Sequence, residues 1–280
     1  MTHGLARAPF SHPNKLFVTA APAFRIDRRG GVAEVVLDRA DRRNPLDYAA
    51  VLELNGHLAD LDADDLVAAI LLRGEGSGFC SGGDLKEFQS ATGSSAFTFH
   101  DGGEGWVTLM TVIRSMAKPV ICAPHGYALA GGCGIVAASD IVIAAEGTQF
   151  GMSEVRIGLF PIVVLPTVAA AIGHRRAREL ALTGRRIDAQ EALTAGLVHR
   201  VVPAEGFLQV ARALADDIAS LGPHALRLGK ELLHRIEGED IERATVLAKA
   251  MRGVFMSTPD FAEGVASFVE KRKPNFRPTA

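Results

Sequence analysis

Phe79-Cys80-Ser81-Gly82-Gly83-Asp84 and His125-Gly126-Tyr127-Ala128-Leu129-Ala130-Gly131-Gly132-Cys133-Gly134 are the stretches whose reading decides the fold. Each follows a short apolar run, Val67 to Leu72 in the first case and Val120 to Ala123 in the second, and each leads into a helix-like run. Strand, glycine turn and helix in that order aim free backbone N–H groups outward, where they can hold a developing negative oxygen. Two successive glycines at 82 and 83 allow a path that a side chain would block, so the Gly83 N–H points into a cleft. Gly131 opens its helix, so its N–H is an unpaired first-turn donor and the helix dipole adds positive potential there. Either turn alone reads as a packing requirement. Two of them at strand ends, separated by one helix and one strand, are far more specific. Two donors on one oxygen would stabilise an enolate, and loss of one such donor typically costs on the order of 100- to 1,000-fold in rate.

Outward from these turns the chain alternates strands and helices. Val32 to Leu37 reads as a strand entered from a hairpin turn at Arg29-Gly30-Gly31, with Phe24 to Asp27 as its partner. Asp47 to Leu61 carries Val51, Leu52, Leu54, Leu58 and Leu61 at helical spacing. Asp84 to Phe88 begins a helix with an acid near its positive end. Residues 89 to 105, rich in Ser, Thr and Gly, read as a mobile loop. Trp106 to Met116 is a helix stopped by Lys118-Pro119. Gly132 to Ala138 is a helix, Ile141 to Ala144 a strand and Gln149 to Gly151 a short strand. This order implies an α/β fold with crossover units and buried parallel sheet. After Pro161, helices are expected at Val163–Ile172, His174–Leu182, Ala189–Ala195 and from Glu205 onward, with Leu197 to Val202 the one strand left. The expected organisation is a disordered N-terminal extension at 1–23, a core at 24–200 and a C-terminal helical segment at 201–280.

Composition narrows the functional classes. With 48% hydrophobic and 22% charged residues in 280, the chain is an ordinary soluble globular one. A net charge of −2 gives no pull toward nucleic acid or an anionic membrane. The longest apolar candidate, Ile135 to Ala145, is broken by Asp140 and is too short to span a bilayer. Cys80, Cys122 and Cys133 form no disulfide framework and suit a reducing compartment, so a cytoplasmic location is expected. There is no Cys/His cluster with metal-ligand spacing and no Gly-Lys-Ser/Thr phosphate loop. The first 26 residues lack Asp and Glu, but Pro9, Pro13 and Pro22 break any amphipathic period, which favours a disordered extension over a targeting peptide.

Residues 79–88 and 126–133, Phe150-Gly151-Met152-Ser153-Glu154, and the stretch from Phe268 to Phe276 together resemble four motifs of the enoyl-CoA hydratase/isomerase (crotonase) superfamily, in order and at ordinary spacing. The resemblance implies a crotonase-like spiral of ββα units with a C-terminal helical trimerisation segment, assembled as a homotrimer or a dimer of trimers. It implies an acyl-CoA thioester substrate, a place in fatty acid metabolism, and no metal or redox cofactor, because CoA enters as part of the substrate. It assigns the oxyanion N–H groups to Gly83 and Gly131 and a catalytic carboxylate to Glu154. Asn44, Leu46, Ser81, Gly82, Asp84 and Leu85 would line the CoA and acyl pocket, and Phe268 and Lys271 would reach the CoA adenine and phosphates. The residues themselves leave alternatives open. Glu154 beside apolar surface would have a raised pKa and could move protons near neutrality, or it could be a surface acid paired with Arg156. The Lys271-Arg272-Lys273 cluster could equally compensate a helix dipole. His125 reads as a supporting hydrogen-bonding residue, Asp140 as a buried acid bound to backbone, and Cys80 and Cys133 as small buried hydrophobes.

Two departures from the family pattern bear on the reaction. Hydratases of the superfamily carry a second glutamate where this chain has Gly134, three residues past Gly131 and on the same helix face. A single base suffices to move a double bond, so the pattern resembles a Δ3,Δ2-enoyl-CoA isomerase. The alternatives are a 2-enoyl-CoA hydratase with a substitute acid, such as Glu104 or Asp101, and a catalytically weak acyl-CoA-binding protein. The second departure is Phe160-Pro161-Ile162-Val163-Val164-Leu165, where bulky apolar residues replace a glycine-rich stretch and imply a reshaped acyl pocket.

Overall fold

Arg29-Gly30-Gly31 makes the expected hairpin: β1 (Phe24–Arg29) runs antiparallel to β2 (Val32–Leu37), with Gly30 at φ +56° in the tight turn. The computed structural model describes residues 22–90, 92–93 and 96–276, without the side chains of 96–102. All of the extension expected at 1–23 except Pro22 and Ala23 lies outside the described residues. The chain continues through β3 (Pro45–Leu46), α1 (Tyr48–Ala63), β4 (Ala69–Gly74), β5 (Gly82–Gly83), α2 (Leu85–Ser90) and α3 (Ala96–Ser115). Then come β6 (Val120–Ala123), β7 (Tyr127–Leu129), α4 (Gly131–Ala138), β8 (Ile141–Ala145) and β9 (Gln149–Gly151). After a short 3-10 turn at Glu154–Ile157 follow α5 (Leu165–Ile172), α6 (His174–Thr183), β10 (Ile187–Asp188), α7 (Ala189–Ala195) and β11 (Arg200–Val202). The chain closes with α8 (Phe207–Ala219), α9 (Pro223–Ile236), α10 (Ile241–Met256) and α11 (Pro259–Val269).

The main sheet has the order β1-β2-β4-β6-β8-β11, parallel from β2 onward. Its inner strands are largely apolar on both faces, as buried parallel strands are, with Glu34 of β2 and Arg73 of β4 as buried charged exceptions. Ile70 and Leu72 of β4, Cys122 of β6 and Val142 of β8 face the principal core with α1, α3 and α4. Their neighbours Ala69, Leu71, Ile121 and Ile143 face the other way and are covered by Ala211, Ala215 and Ile218 of α8. Those three lie at i, i+4 and i+7, one stripe of a helix. Although α8 lies past the boundary expected at 200, it packs on the core sheet. At the joint, Glu34 of β2 is 2% exposed and accepts from Arg212 of α8 at 2.6 and 2.8 Å and from Arg73 of β4 at 3.1 Å. Two small sheets, β10-β9-β7 and the parallel pair β3-β5, extend the spiral beside the glycine turns.

Two expectations are corrected. Of the loop expected at 89–105, residues 89 and 90 close α2 and residues 96 to 105 belong to α3. Gly102, Gly103 and Gly105 lower intrinsic helicity, but packing overrides it. A Cβ at Gly105 would lie 3.3–3.5 Å from Tyr48, Val51 and Leu52, so α3 lies close on α1, and Asn55 Nδ2 of α1 donates to Gly105 O at 2.9 Å. Second, Leu197 to Val202 is not the last strand's full span nor the only strand after Pro161. The strand is Arg200–Val202, and the two-residue β10 pairs antiparallel with β9, too short to show a period.

Candidate active site

The two glycine turns lie side by side. Phe79 N and Cys80 N both donate to Tyr127 O, at 3.0 and 3.2 Å, and Leu129 N returns a bond to Cys80 O at 2.9 Å. Gly82 sits at φ +98°, and a Cβ there would fall 2.7 Å from Ala130 Cβ and 3.1 Å from Gly131 N. Only glycine fits that conformation in that space. Asp84 N donates to Leu46 O at 3.2 Å in the β3–β5 pairing. Successive N–H groups of a strand alternate in direction, so the Gly83 N–H is turned away from β3. Gly131 opens α4, whose first intrahelical bond is Gly134 N to Ala130 O at 3.1 Å. The Gly131 N–H is therefore a first-turn donor with no intrahelical acceptor. Ala130, before it, holds φ 49° and ψ −121°, a region that strains any residue with a Cβ. Its N–H is fixed by Gly151 O at 2.8 Å.

That last bond also brings in the third turn. β9 runs parallel to β7 with Leu129 opposite Gly151, and Glu154 follows three residues later at the head of the 3-10 turn. Glu154 is half-buried, and its Oε2 is buried with no hydrogen-bond partner among the described residues. Burial pushes its pKa up. Glu154 is not paired with Arg156, whose Nε donates to Gly184 O at 2.7 Å. Glu154 is close enough to Cys133 of α4 for its charge to add to the effect of burial, which together raise that thiol to about 12. Burial takes Cys80 to about 12 as well, so both are small inert hydrophobes at neutral pH.

The surroundings of Gly134 differ from a water site. A Cβ there would lie 2.7 Å from Val164 Cγ1 and 3.1 Å from Met110 Sδ and Cε. Val164 comes from the apolar stretch after the third turn, and Met110 from α3. One turn earlier on α3, Trp106 lays its indole against Gly131, where a Cβ would overlap Cη2 and Cζ3. The Phe88 ring lies over Gly83, 2.8 Å from where a Cβ would be. As for a substitute acid, Glu104 is exposed, and the Asp101 side chain lies outside the described residues. Glu87 is a half-buried acid on α2 that the sequence did not flag. Its carboxylate is occupied by Tyr48 N at 3.0 and 3.1 Å, and its pKa is raised by burial.

Of the remaining expected residues, Asn44 and Leu46 are buried beside the first turn. Asn44 uses its whole amide structurally. It accepts from Arg39 N at 2.9 Å and donates to Glu75 O and Gly78 O at 2.9 and 2.8 Å. Asp84 caps α2 through Lys86 N at 2.9 Å and forms an ion pair with Arg42. Ser81 N donates to Arg43 O at 3.1 Å, and Leu85 is exposed at the start of α2. Phe268 and Lys271 are not brought to the turns within one chain. Phe268 lies at the end of α11, which packs on α9 and α10, and is 85% exposed, and Lys271 lies just past that end. Arg272, the next residue, is tied to Glu263 and Glu270. His125 Nε2 bonds Gly76 O at 2.8 Å, and Asp140 Oδ2 accepts from Val120 N at 2.7 Å and from Lys230 Nζ at 2.6 Å. Sequence reasoning named Val164 only as part of the apolar stretch 160–165 and missed Trp106 and Met110 as site residues. A large pair at i, i+4 preceding glycines at i, i+3 in the next helix was the available clue.

Among the described residues no helix is long and apolar enough to cross a membrane, and no group of three or more His, Cys, Asp or Glu could hold a metal ion. The family model described as enoyl-CoA hydratase/isomerase matches residues 27–279. A Mycobacterium bovis protein named a probable enoyl-CoA hydratase is 36% identical over 251 residues, covering 89% of this chain and 95% of its own. Among solved structures, the enoyl-CoA hydratase of Mycobacterium smegmatis superposes with a TM-score of 0.86 at 31% identity, over 91% of this chain and 99% of its own. That of Bacillus anthracis gives 0.85 at 33% identity, over 91% and 98%. With the paired glycine turns, the carboxylate beside them and these likenesses along nearly its whole length, the chain belongs to the enoyl-CoA hydratase/isomerase family of crotonase-fold enzymes.

Proposed function

We propose that this enzyme moves the double bond of a 3-enoyl-CoA thioester to the 2-position, with Glu154 as a single proton carrier. The N–H groups of Gly83 and Gly131 hold the thioester oxygen. The Glu154 carboxylate removes a C2 proton, and the electron pair moves onto the thioester oxygen as a dienolate. The two donors stabilise that charge as it develops. Collapse of the dienolate takes the proton from Glu154 at C4 and leaves the double bond between C2 and C3. A base with a raised pKa suits both halves of the cycle, because it must take the proton and give it back. The observation that carries this reading is the apolar filling at Gly134. Val164 and Met110 occupy the space that a second carboxylate and its water would need. The exposed apolar residues of α10 and α11, among them Val246, Val254 and Phe268, support assembly into a trimer or a dimer of trimers.

The rival reading is hydration of a 2-enoyl-CoA, favoured by the names of the relatives, which are hydratases. Turnover of a 3-enoyl-CoA and a 2-enoyl-CoA, each with the native protein and with Glu154→Gln, separates the two. Isomerisation that falls about 100- to 10,000-fold in the variant supports the single-base reading. Hydration of the 2-enoyl substrate overturns it. Tight binding without turnover of either points to an acyl-CoA-binding protein.

A further inference from the structure

α3 and α4 cross with their reactive-looking faces toward each other. Trp106 and Met110, one turn apart on α3, meet Gly131 and Gly134, one turn apart on α4. The far edge of the indole rests on Gly131, whose N–H is one of the two donors. A thioester carbonyl held by Gly83 and Gly131 therefore has the six-membered ring of Trp106 as its neighbour, and a carbon chain that leaves C2 on that side runs against it.

The indole is held in place. Trp106 is half-buried and packs on the principal core, while Leu109 and Ile113 of the same helix are 0% exposed. The adjoining Gly105 lies close on α1, with Tyr48, Val51 and Leu52 at contact distance. Beyond the indole, Met110 and Val164 close the space in front of Gly134. On the opposite side, the Phe88 ring covers Gly83.

From this geometry we infer that Trp106 is the residue that sets acyl-chain length, and that the site takes short acyl thioesters because the indole fills the room a longer chain would need. The inference rests on the reading that the acyl thioester lies on the glycine pair, and it is independent of which reaction follows. Trp106 is the only tryptophan in the chain, so its fluorescence reports this spot alone.

The test uses saturated thioesters, which neither isomerise nor hydrate. Butanoyl-CoA, decanoyl-CoA and free CoA are titrated into the native protein, Trp106→Ala and Trp106→Phe, with affinity read by calorimetry and emission read in the native protein. Butanoyl-CoA shifts the Trp106 emission and free CoA does not. The decanoyl-to-butanoyl affinity ratio rises about tenfold or more in Trp106→Ala, because a pocket discriminates strongly per methylene, and takes an intermediate value in Trp106→Phe. An unchanged ratio in the variants, a native protein that prefers decanoyl-CoA, or emission that responds equally to free CoA overturns the inference. If Trp106→Ala does not fold, the Trp106→Phe ratio and the native emission decide alone. Failure of the isomerase reading shows separately, as absence of 3-enoyl turnover in a native protein that still discriminates chain length.

Discussion

Substituting Gly134 by alanine sets two effects of known sign against each other. Gly134 is the fourth residue of α4 and is buried. Inside a helix, alanine is favoured over glycine by about 1 kcal/mol. Against this, the new methyl would sit 2.7 Å from Val164 Cγ1 and 3.1 Å from Met110 Sδ. Met110 can swing its terminal atoms aside, but Val164 is β-branched and 3% exposed, so it has no second rotamer to adopt cheaply. Overpacking of this kind costs about 1–3 kcal/mol. The expected net is a loss of up to about 2 kcal/mol. The double variant Gly134→Ala/Val164→Ala isolates the clash, because removing the valine methyls makes room for the new one. It is expected to be about 1–2 kcal/mol more stable than the sum of the single changes. Urea unfolding of the four proteins at one fixed concentration measures this from the midpoints at constant slope. Additivity within about 0.5 kcal/mol, or a Gly134→Ala protein stabilised by the full helix preference, would refute the view that Val164 fills this space.

Glu154 must be ionised to accept a proton, and burial raises its pKa, so kcat/KM is expected to fall with acid along a limb whose apparent pKa lies above the ordinary 4.5. A limb at or below 4.5 in a pH–rate profile removes Glu154 as a buried base. The same carboxylate weakens the fold as it ionises, because its folded pKa is raised and the native state holds the proton longer; its contribution to stability is lost as pH rises through that value. Glu34 behaves in the opposite sense. Burial raises its pKa, but hydrogen bonds from Arg212 and Arg73 outweigh burial and leave it at about 2. The drop from 4.5 to about 2 is worth roughly 3 kcal/mol of stability, present above about 4.5 and lost as pH falls toward 2. Glu34→Gln is expected to lower stability by about 3–5 kcal/mol, because the guanidiniums of Arg29, Arg73 and Arg212 lose their shared anion, and to flatten the acid limb of a pH–stability curve. An unchanged curve would mean that the cluster contributes nothing.

The strands and the donor turns were legible because each rests on local chemistry. Buried parallel strands are mostly apolar, and 120–123 and 141–145 are so throughout; a glycine pair after such a strand leaves few other geometries. The beginning of α3 was not legible, because three glycines argue locally for a loop while the helix is fixed by its contact with α1, a partner some fifty residues earlier. β3, β5 and β10 are two residues each, and no periodicity exists at that length. At the site, Glu154 was found from its family motif, and its burial and freedom from Arg156 emerged only in three dimensions. Asn44 and Asp84 illustrate the reverse. They lie where expected, yet their side chains hold the loop and cap α2 instead of standing free. The apolar plug at Gly134 combines α3, α4 and the segment after the third turn, so no single window of sequence contained it.

The late helix α8 over the back of the main sheet has a consequence for how the chain is made. β2, β4, β6 and β8 add to the sheet in the order in which they leave the ribosome, so the sheet can grow during synthesis. Its back face, with Ala69, Leu71, Ile121 and Ile143, stays bare until residues 207–219 arrive as α8. For most of its synthesis the nascent protein therefore carries an uncovered apolar surface, the kind of exposure that recruits chaperones or leads to aggregation. A chain that stops short of α8 loses more than its tail, since it leaves that surface permanently open.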